Sequence, residues 1–203
     1  MKLLYSPTSP YVRKVMILAL ERGLDKKLEK LPTAASPVQA NRDLDKANPL
    51  GKVPALMLDN GMVLFDSPVI CEYLDSRHKG AKLFPPSGAR RFKALRLQAL
   101  GDGILDAALL ARYETAMRPE NLRWTEWVDG QKRKIAQGLE ALEKEAADLN
   151  GGLSIGQVAV ACALGYLDFR YADMNWRKGH AKLGAWYTKF SKKKSMQATQ
   201  PQG

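Results

Sequence analysis

Short apolar runs dominate the first 80 residues, and each has the length and flanking turn residues of a strand: Lys2–Tyr5, Leu28–Leu31, Ala55–Leu58 and Met62–Phe65. Between the first two, Val12, Val15, Met16, Ala19 and Leu20 recur at spacings of three and four, which predicts a helix from Pro10 to Gly23. Ser9 stands at its N-cap and Pro10 at its first position, where a missing N–H costs nothing. The polar stretch Pro32–Ala47 reads as loop plus a short helix. Asp59-Asn60-Gly61 joins the last two strands, and its Asn-Gly pair suits a type I′ hairpin turn. Asp66-Ser67-Pro68 then opens a second helix, to about His78, with Ser67 as its N-cap. The order β-α-β, loosely helical segment, β-β-α predicts a small α/β layer domain.

Lys79 to Gly88, rich in Gly and Pro, reads as a linker, after which strand signals vanish. Ala89–Met117 carries Phe92, Leu95, Leu97, Leu100, Ile104, Leu105 and Leu109 at helical spacing, with Gly101 and Gly103 marking a bend or a close approach by another chain. Trp124–Leu149 is a second long helix. Ser154 opens a third, with Gln157 completing a capping box and Leu153 and Val158 placed as a hydrophobic staple. The body of that helix, Val158 to Leu167, is apolar nearly all round, the mark of a core helix. A last helix around His180–Lys192 precedes a polar tail. The chain therefore divides into an α/β domain over 1–78, a linker over 79–87 and an all-helical domain over 88–203.

Composition narrows the class. The chain has 203 residues, 45% hydrophobic and 26% charged, the balance of a soluble globular protein. Its longest apolar runs are too short to span a bilayer, and Met1-Lys2-Leu3-Leu4-Tyr5 reads as a strand rather than a signal peptide. Two cysteines, Cys71 and Cys162, lie inside apolar helical patterns, so neither a disulfide framework nor a metal site is expected, and the cytoplasm is the natural compartment. The formal charge of +11 raises nucleic acid as a partner. Arg170 onward supplies +7 of it, and no zinc-finger or ribonucleoprotein motif accompanies it, which weighs against specific nucleic-acid binding. A basic terminal surface is more often simply solvated.

The candidate chemistry lies in Asn48-Pro-Leu-Gly-Lys-Val-Pro54 and Asp66-Ser67-Pro68. Proline at a strand entry cannot donate to a ladder, so Val53-Pro54 asks for a bend or a cis bond. A helix start with free N–H groups and a hydroxyl suits an anion, and the Asp66 carboxylate beside it suits a cation. One amino-acid head group would satisfy both. An ordinary capped helix with a solvated aspartate shows the same residues.

With these motifs in this order, the chain resembles the cytosolic glutathione S-transferases over almost its whole length. Its first helix, opening Ser9-Pro-Tyr-Val-Arg-Lys14, is similar to that of bacterial members. The resemblance implies a thioredoxin-like first domain, an all-helical second domain and a homodimer. It implies a cis Pro54 that lets the Val53 backbone pair with the cysteinyl part of glutathione, and a γ-glutamyl group held by Asp66 and Ser67. Lys52 becomes a candidate for the glycine carboxylate, with a solvated lysine as the alternative. Glutathione is then a co-substrate, with no tightly bound cofactor and no metal, and the second substrate is a small electrophile.

The reaction implied is thiol activation. A hydroxyl donating to sulfur at a helix N-terminus stabilises the thiolate, and Ser9 meets both conditions. Thr8 and Tyr5 are the rivals, and a plain N-cap is the structural alternative for Ser9. Serine at this position cannot form a mixed disulfide, which disfavours a glutaredoxin-type cycle. On the helix expected to wall the electrophile site, Asp102, Asp106 and Tyr113 share a face and Arg112 lies close to it, although surface ion pairs would look identical. Arg13 is expected to pair within its own domain, and the four tryptophans to sit in core or interface. The core-helix capping motif usually ends in Asp in this family; Gln157 in its place implies a modest stability effect. His78 and His180 look isolated. Two alternatives to transfer are a glutathione-dependent peroxidase or disulfide reductase, and a non-catalytic binding or regulatory protein on the same scaffold.

Overall fold

Four strands form one sheet, in the order Glu29–Pro32, Lys2–Tyr5, Ala55–Met57, Val63–Leu64, in a computed structural model that describes residues 1–201. β1 (Lys2–Tyr5) runs parallel to β2 (Glu29–Pro32) and antiparallel to β3 (Ala55–Met57), which pairs antiparallel with β4 (Val63–Leu64). The parallel pair requires a crossover, supplied by α1 (Pro10–Glu21). Along α1 the residues Val12, Val15, Met16 and Ala19 are buried, as their spacing predicts. Alternation along the strands splits the core in two. Leu4 and Ala55 pack with Leu44 of the short helix α2 (Arg42–Ala47) on one face. Leu3 and Leu56 point the other way and are fully buried, as are Ile70 and Leu74 of α3 (Ser67–Ser76).

The hairpin differs from the sequence expectation. A type I′ turn needs positive φ at both central residues, and only Gly61 has it (φ 86°). The loop instead spans three residues: Gly61 N–H donates to Leu58 O (3.0 Å) and Leu58 N–H to Met62 O (2.8 Å). Asn60 supplies its side chain rather than its backbone, accepting from Met62 N–H at 3.1 Å.

Helices make up the rest: α4 (Gly88–Ala116), α5 (Thr125–Lys144), α6 (Ile155–Arg170), α7 (Ala181–Phe190) and α8 (Lys194–Gln197). The chain divides into two compact units. One is Met1–Gly88 with the chain from Lys193 onward, and the other is Ala89–Lys192. The expected helical domain ran to residue 203; instead the segment after Lys192 belongs with the α/β unit, and residues 202–203 lie outside the described residues. The physical tie is polar. Arg13 Nη2 donates to Met196 O (3.1 Å), and Glu21 accepts from Lys193 Nζ (3.1 Å) and Ser195 Oγ (2.5 Å). Part of the expected polar tail is thus the helix α8, laid along α1.

Within the helical unit, α6 is the core element, with every residue from Ile155 to Leu167 buried. The capping box forms, Gln157 Oε1 accepting from Ser154 N–H, and the Gln157 amide also donates to Leu149 O (3.0 Å) and Gly151 O (3.2 Å). Neither Gly101 nor Gly103 breaks α4. A Cβ on Gly101 would stand 2.7 Å from the Ala159 backbone, and one on Gly156 would stand 2.6 Å from Leu97 Cβ. The close approach therefore comes from α6 of the same chain. The two contacts advance together, so α4 and α6 run in the same direction. Among the described residues, no helix is long and apolar enough to cross a membrane.

Candidate functional site

Strand register gathers the sequence motifs of the α/β unit. Leu4 pairs with Ala55, and Leu56 with Leu64, in antiparallel ladders. The end of β1, the start of β3 and the end of β4 therefore share one edge of the sheet. From that edge leave the segment Tyr5–Ser9, the approach Lys52–Pro54, and the connection Phe65–Ser67 into α3. Most of the predicted site residues of this unit are thus brought together by topology.

The loop before β3 is fixed from within. Asn48, 1% exposed, donates through its amide to Lys52 O (2.8 Å) and accepts from Leu50 N–H (3.1 Å), while Gly51 N–H closes on Asn48 O (2.8 Å). Asn48 reads in the sequence only as a turn residue; its burial is what makes it the loop's internal strut. The Val53–Pro54 peptide is cis. Val53 lies ahead of the ladder, which begins at Ala55, so its backbone groups are left for another partner. Lys52 is exposed.

At α3 the capping differs by one residue from expectation: Asp66 is the N-cap, Ser67 the first helical residue and Pro68 the second. Asp66 makes no side-chain cap bond and is exposed, so its carboxylate is not spent on the helix. Ser67 is 1% exposed, and its hydroxyl oxygen is buried without a hydrogen-bond partner. A buried unpaired hydroxyl costs about 1–3 kcal/mol. Beside it the first-turn N–H groups of Ser67 and Val69 are the unsatisfied donors that every helix start carries. An anion placed there would meet a hydroxyl and backbone N–H groups at the positive end of the helix dipole.

Ser9 is the N-cap of α1 and accepts from Val12 N–H at 3.3 Å. Accepting uses a lone pair and leaves the hydroxyl proton free to be donated. Thr8 lies 3.3 Å from Ser6 through their hydroxyls, a neighbour that the sequence motifs do not single out. Tyr5 sits under the Lys30 ammonium, 5.2 Å from its ring centre. Among the described residues no cluster of His, Cys, Asp and Glu suits a metal ion, and both cysteines are buried and outside any disulfide.

In the helical unit, Asp102, Asp106, Arg112 and Tyr113 all lie on α4. Asp102 is half-buried and Asp106 exposed. Burial pushes the Tyr113 phenol up, and Arg112 offsets part of that. Trp176 and Trp186 are buried, whereas Trp124 and Trp127 stack on each other at 6.2 Å and stay partly exposed. His78 is not isolated: its Nε2 lies 3.0 Å from Asp75, which also accepts from Leu83 and Phe84 N–H and so pins the start of the linker. His180 bonds the Trp176 carbonyl. Sequence spacing conceals both contacts because they run through turns.

Comparison with known proteins identifies the family. Residues 8–77 match the model of the glutathione S-transferase N-terminal domain, and residues 125–189 that of the C-terminal domain. The uncharacterized GST-like protein YibF of Escherichia coli is 36% identical over 180 residues, 87% of this chain and 86% of the relative. A glutathione transferase family member from Pseudomonas fluorescens Pf-5, solved with bound glutathione, superposes with a TM-score of 0.98 at 48% identity, covering 100% of this chain and 99% of that one. A glutathione S-transferase from Methylobacillus flagellatus, also with glutathione bound, gives 0.90 at 36% identity over 99% of both chains. The two domain models, which together match more than half of the chain, and the relative that is 36% identical place the chain in the glutathione S-transferase family.

Proposed function

We propose that the protein is a glutathione transferase that binds glutathione along the sheet edge of its α/β unit and activates its thiol for attack on a small electrophile. The observation that carries this reading is the buried, unpartnered Ser67 hydroxyl beside an exposed, uncommitted Asp66. Together they complement a γ-glutamyl carboxylate and ammonium. The Val53 backbone pairs with the cysteinyl residue, and Lys52 faces the glycine carboxylate.

Ser9 donates its free proton to the sulfur at the N-terminus of α1. A free thiol has a pKa near ~8.5, so little is ionised at neutral pH. A hydrogen bond to the charged form and the helix dipole both favour the thiolate. The thiolate attacks the electrophilic carbon, a C–S bond forms, and the leaving group departs with the bond electrons. The thiol proton goes to solvent. Thr8 and Tyr5 are the other candidates for the donor, and Asp102, Asp106, Arg112 and Tyr113 for contacts to the second substrate. Membership in the bacterial group with a Ser-Pro-Tyr-Val-Arg helix start, a homodimeric state, a cytoplasmic location and a part in detoxification complete the reading.

The test is product identification. Purified protein is given glutathione with 1-chloro-2,4-dinitrobenzene, and separately with a hydroperoxide and with a mixed disulfide. Conjugate found by mass spectrometry, with release of chloride, supports transfer. Oxidised glutathione formed from the peroxide or disulfide, without conjugate, would replace the proposal with a peroxidase or reductase.

A further inference from the structure

Two arginines of the helical unit come together without a carboxylate between them. The register of α4 on α6 sets Leu97 beside Gly156 and Gly101 beside Ala159 and Val160. Further along the same two helices, Arg112 acts as a nearby like charge on Arg170 at the end of α6. The Tyr171 hydroxyl fixes that end, donating to Ala108 O at 2.6 Å. Ala108 lies one helical turn before Arg112, on the same face of α4. Among the described residues neither Arg112 nor Arg170 has an ion-pair partner, although the chain pairs Arg96, Arg118 and Arg177 with carboxylates. The Arg170 guanidinium lies over the Phe169 ring, 3.7 Å from its centre, which orients it without neutralising it.

Tyr166, one turn before Arg170 on α6, feels the charge of both arginines. It is 4% exposed, and its hydroxyl has no hydrogen-bond partner among the described residues. That hydroxyl is nevertheless absent from the sealed polar atoms of the chain, so it opens toward solvent. Buried phenols normally find a partner. Burial pushes Tyr166 up to about 12, against the pull of Arg112 and Arg170, so it remains a protonated donor at any working pH. Burial and the nearby Arg112 both lower Arg170, as two cations in one site must. The Asp173 carboxylate acts on Tyr171.

We propose that Arg112, Arg170 and the Tyr166 hydroxyl form an anion subsite that holds a carboxylate of the second substrate, so that the preferred electrophile is an organic acid. Planar guanidinium groups bind carboxylates in bidentate fashion, and a phenol donor adds a third contact. Two like charges lie near each other here beside a phenol donor that reaches solvent. A carboxylate offsets the charges and accepts from the phenol, whereas a neutral electrophile leaves the charges unbalanced. The statement about the electrophile rests on the transferase reading; the anion subsite itself does not.

The test pairs 4-chloro-3-nitrobenzoate with 4-chloro-3-nitrobenzamide, matched acceptors that release chloride on attack by glutathione. Wild type should favour the acid in kcat/KM by at least tenfold. That preference should fall about tenfold in Arg112→Ala and in Arg170→Ala, and severalfold in Tyr166→Phe, while Lys132→Ala on α5 keeps it. Circular dichroism checks folding, and Arg112→Lys and Tyr166→Phe give the reading if an alanine variant does not fold. Equal use of acid and amide by wild type, or a preference unmoved by all these variants, overturns the proposal. Calorimetric titration of unreactive 3-nitrobenzoate runs in parallel. If neither acceptor turns over, the transferase reading is judged by 1-chloro-2,4-dinitrobenzene as above, and the titration alone judges the subsite. Binding weakened in both arginine variants supports it, and no binding overturns it. Inorganic phosphate that displaces the benzoate with equal or higher affinity would overturn its assignment to an organic carboxylate.

Discussion

Replacing Ser67 by alanine separates a ligand-binding hydroxyl from a structural one, because the two roles predict opposite signs. Ser67 is 1% exposed, and its oxygen is sealed with no partner. Asp66 is the N-cap, so the Ser67 hydroxyl does not cap α3. Its removal deletes a buried unsatisfied group whose burial costs about 1–3 kcal/mol. Part of that gain is lost to the small void left behind, so Ser67→Ala should be neutral or more stable by about 1 kcal/mol in urea unfolding. The ligand arm runs the other way. A hydrogen bond to a charged acceptor is worth about 1.5–3 kcal/mol, which is roughly a 10- to 150-fold weaker Kd for glutathione. Urea denaturation and calorimetric titration on the same preparation give both numbers. A variant that loses stability by more than about 1 kcal/mol while keeping its glutathione affinity would show the hydroxyl to be structural and refute the reasoning.

Three further outcomes follow from the same contacts. Ser9→Ala should cost about 1 kcal/mol as a lost cap and raise the pKa of bound glutathione by about 1–2 units, since one unit is about 1.4 kcal/mol. Ultraviolet titration of the bound thiolate reads this, and an unmoved pKa would pass the role to Thr8→Val or Tyr5→Phe. Asp75→Ala strips the Leu83 and Phe84 amides, bonded at 3.0 and 2.9 Å, of their acceptor; a loss of about 3 kcal/mol or more in urea unfolding is expected. Gly101→Val places methyl groups where even a Cβ would stand 2.7 Å from the α6 backbone, and should abolish soluble folded protein or lower its Tm by many degrees.

Much of the architecture is legible because periodicity and capping are local. Ser9-Pro10 starts α1 where the pattern puts it, and the Ser154–Gln157 box opens α6. Positions decided by packing between distant segments are less legible. Gly101 carries the signal of a close approach but not its source, since a backbone contact with Ala159 leaves no mark in either sequence window. The chain after Lys192 reads as a polar tail because its anchors, Arg13 and Glu21, lie far away in sequence. At α3 the motif is visible, but the shift of the N-cap from Ser67 to Asp66 is not, because both residue types cap helices well. Asn48, Tyr166 and Arg170 escape for a related reason: burial or mutual approach gives them their roles, and neither follows from spacing.

The measurement that bears most directly on the central claim is calorimetric titration of glutathione into wild type and Asp66→Ala. The Asp66 carboxylate is exposed and makes no cap bond, so its loss should leave the fold intact. The account predicts that wild type binds, and that Asp66→Ala binds at least about tenfold more weakly, as expected for one lost hydrogen-bonded charge contact. No binding to wild type at millimolar glutathione, or equal affinity in the two proteins, would contradict it.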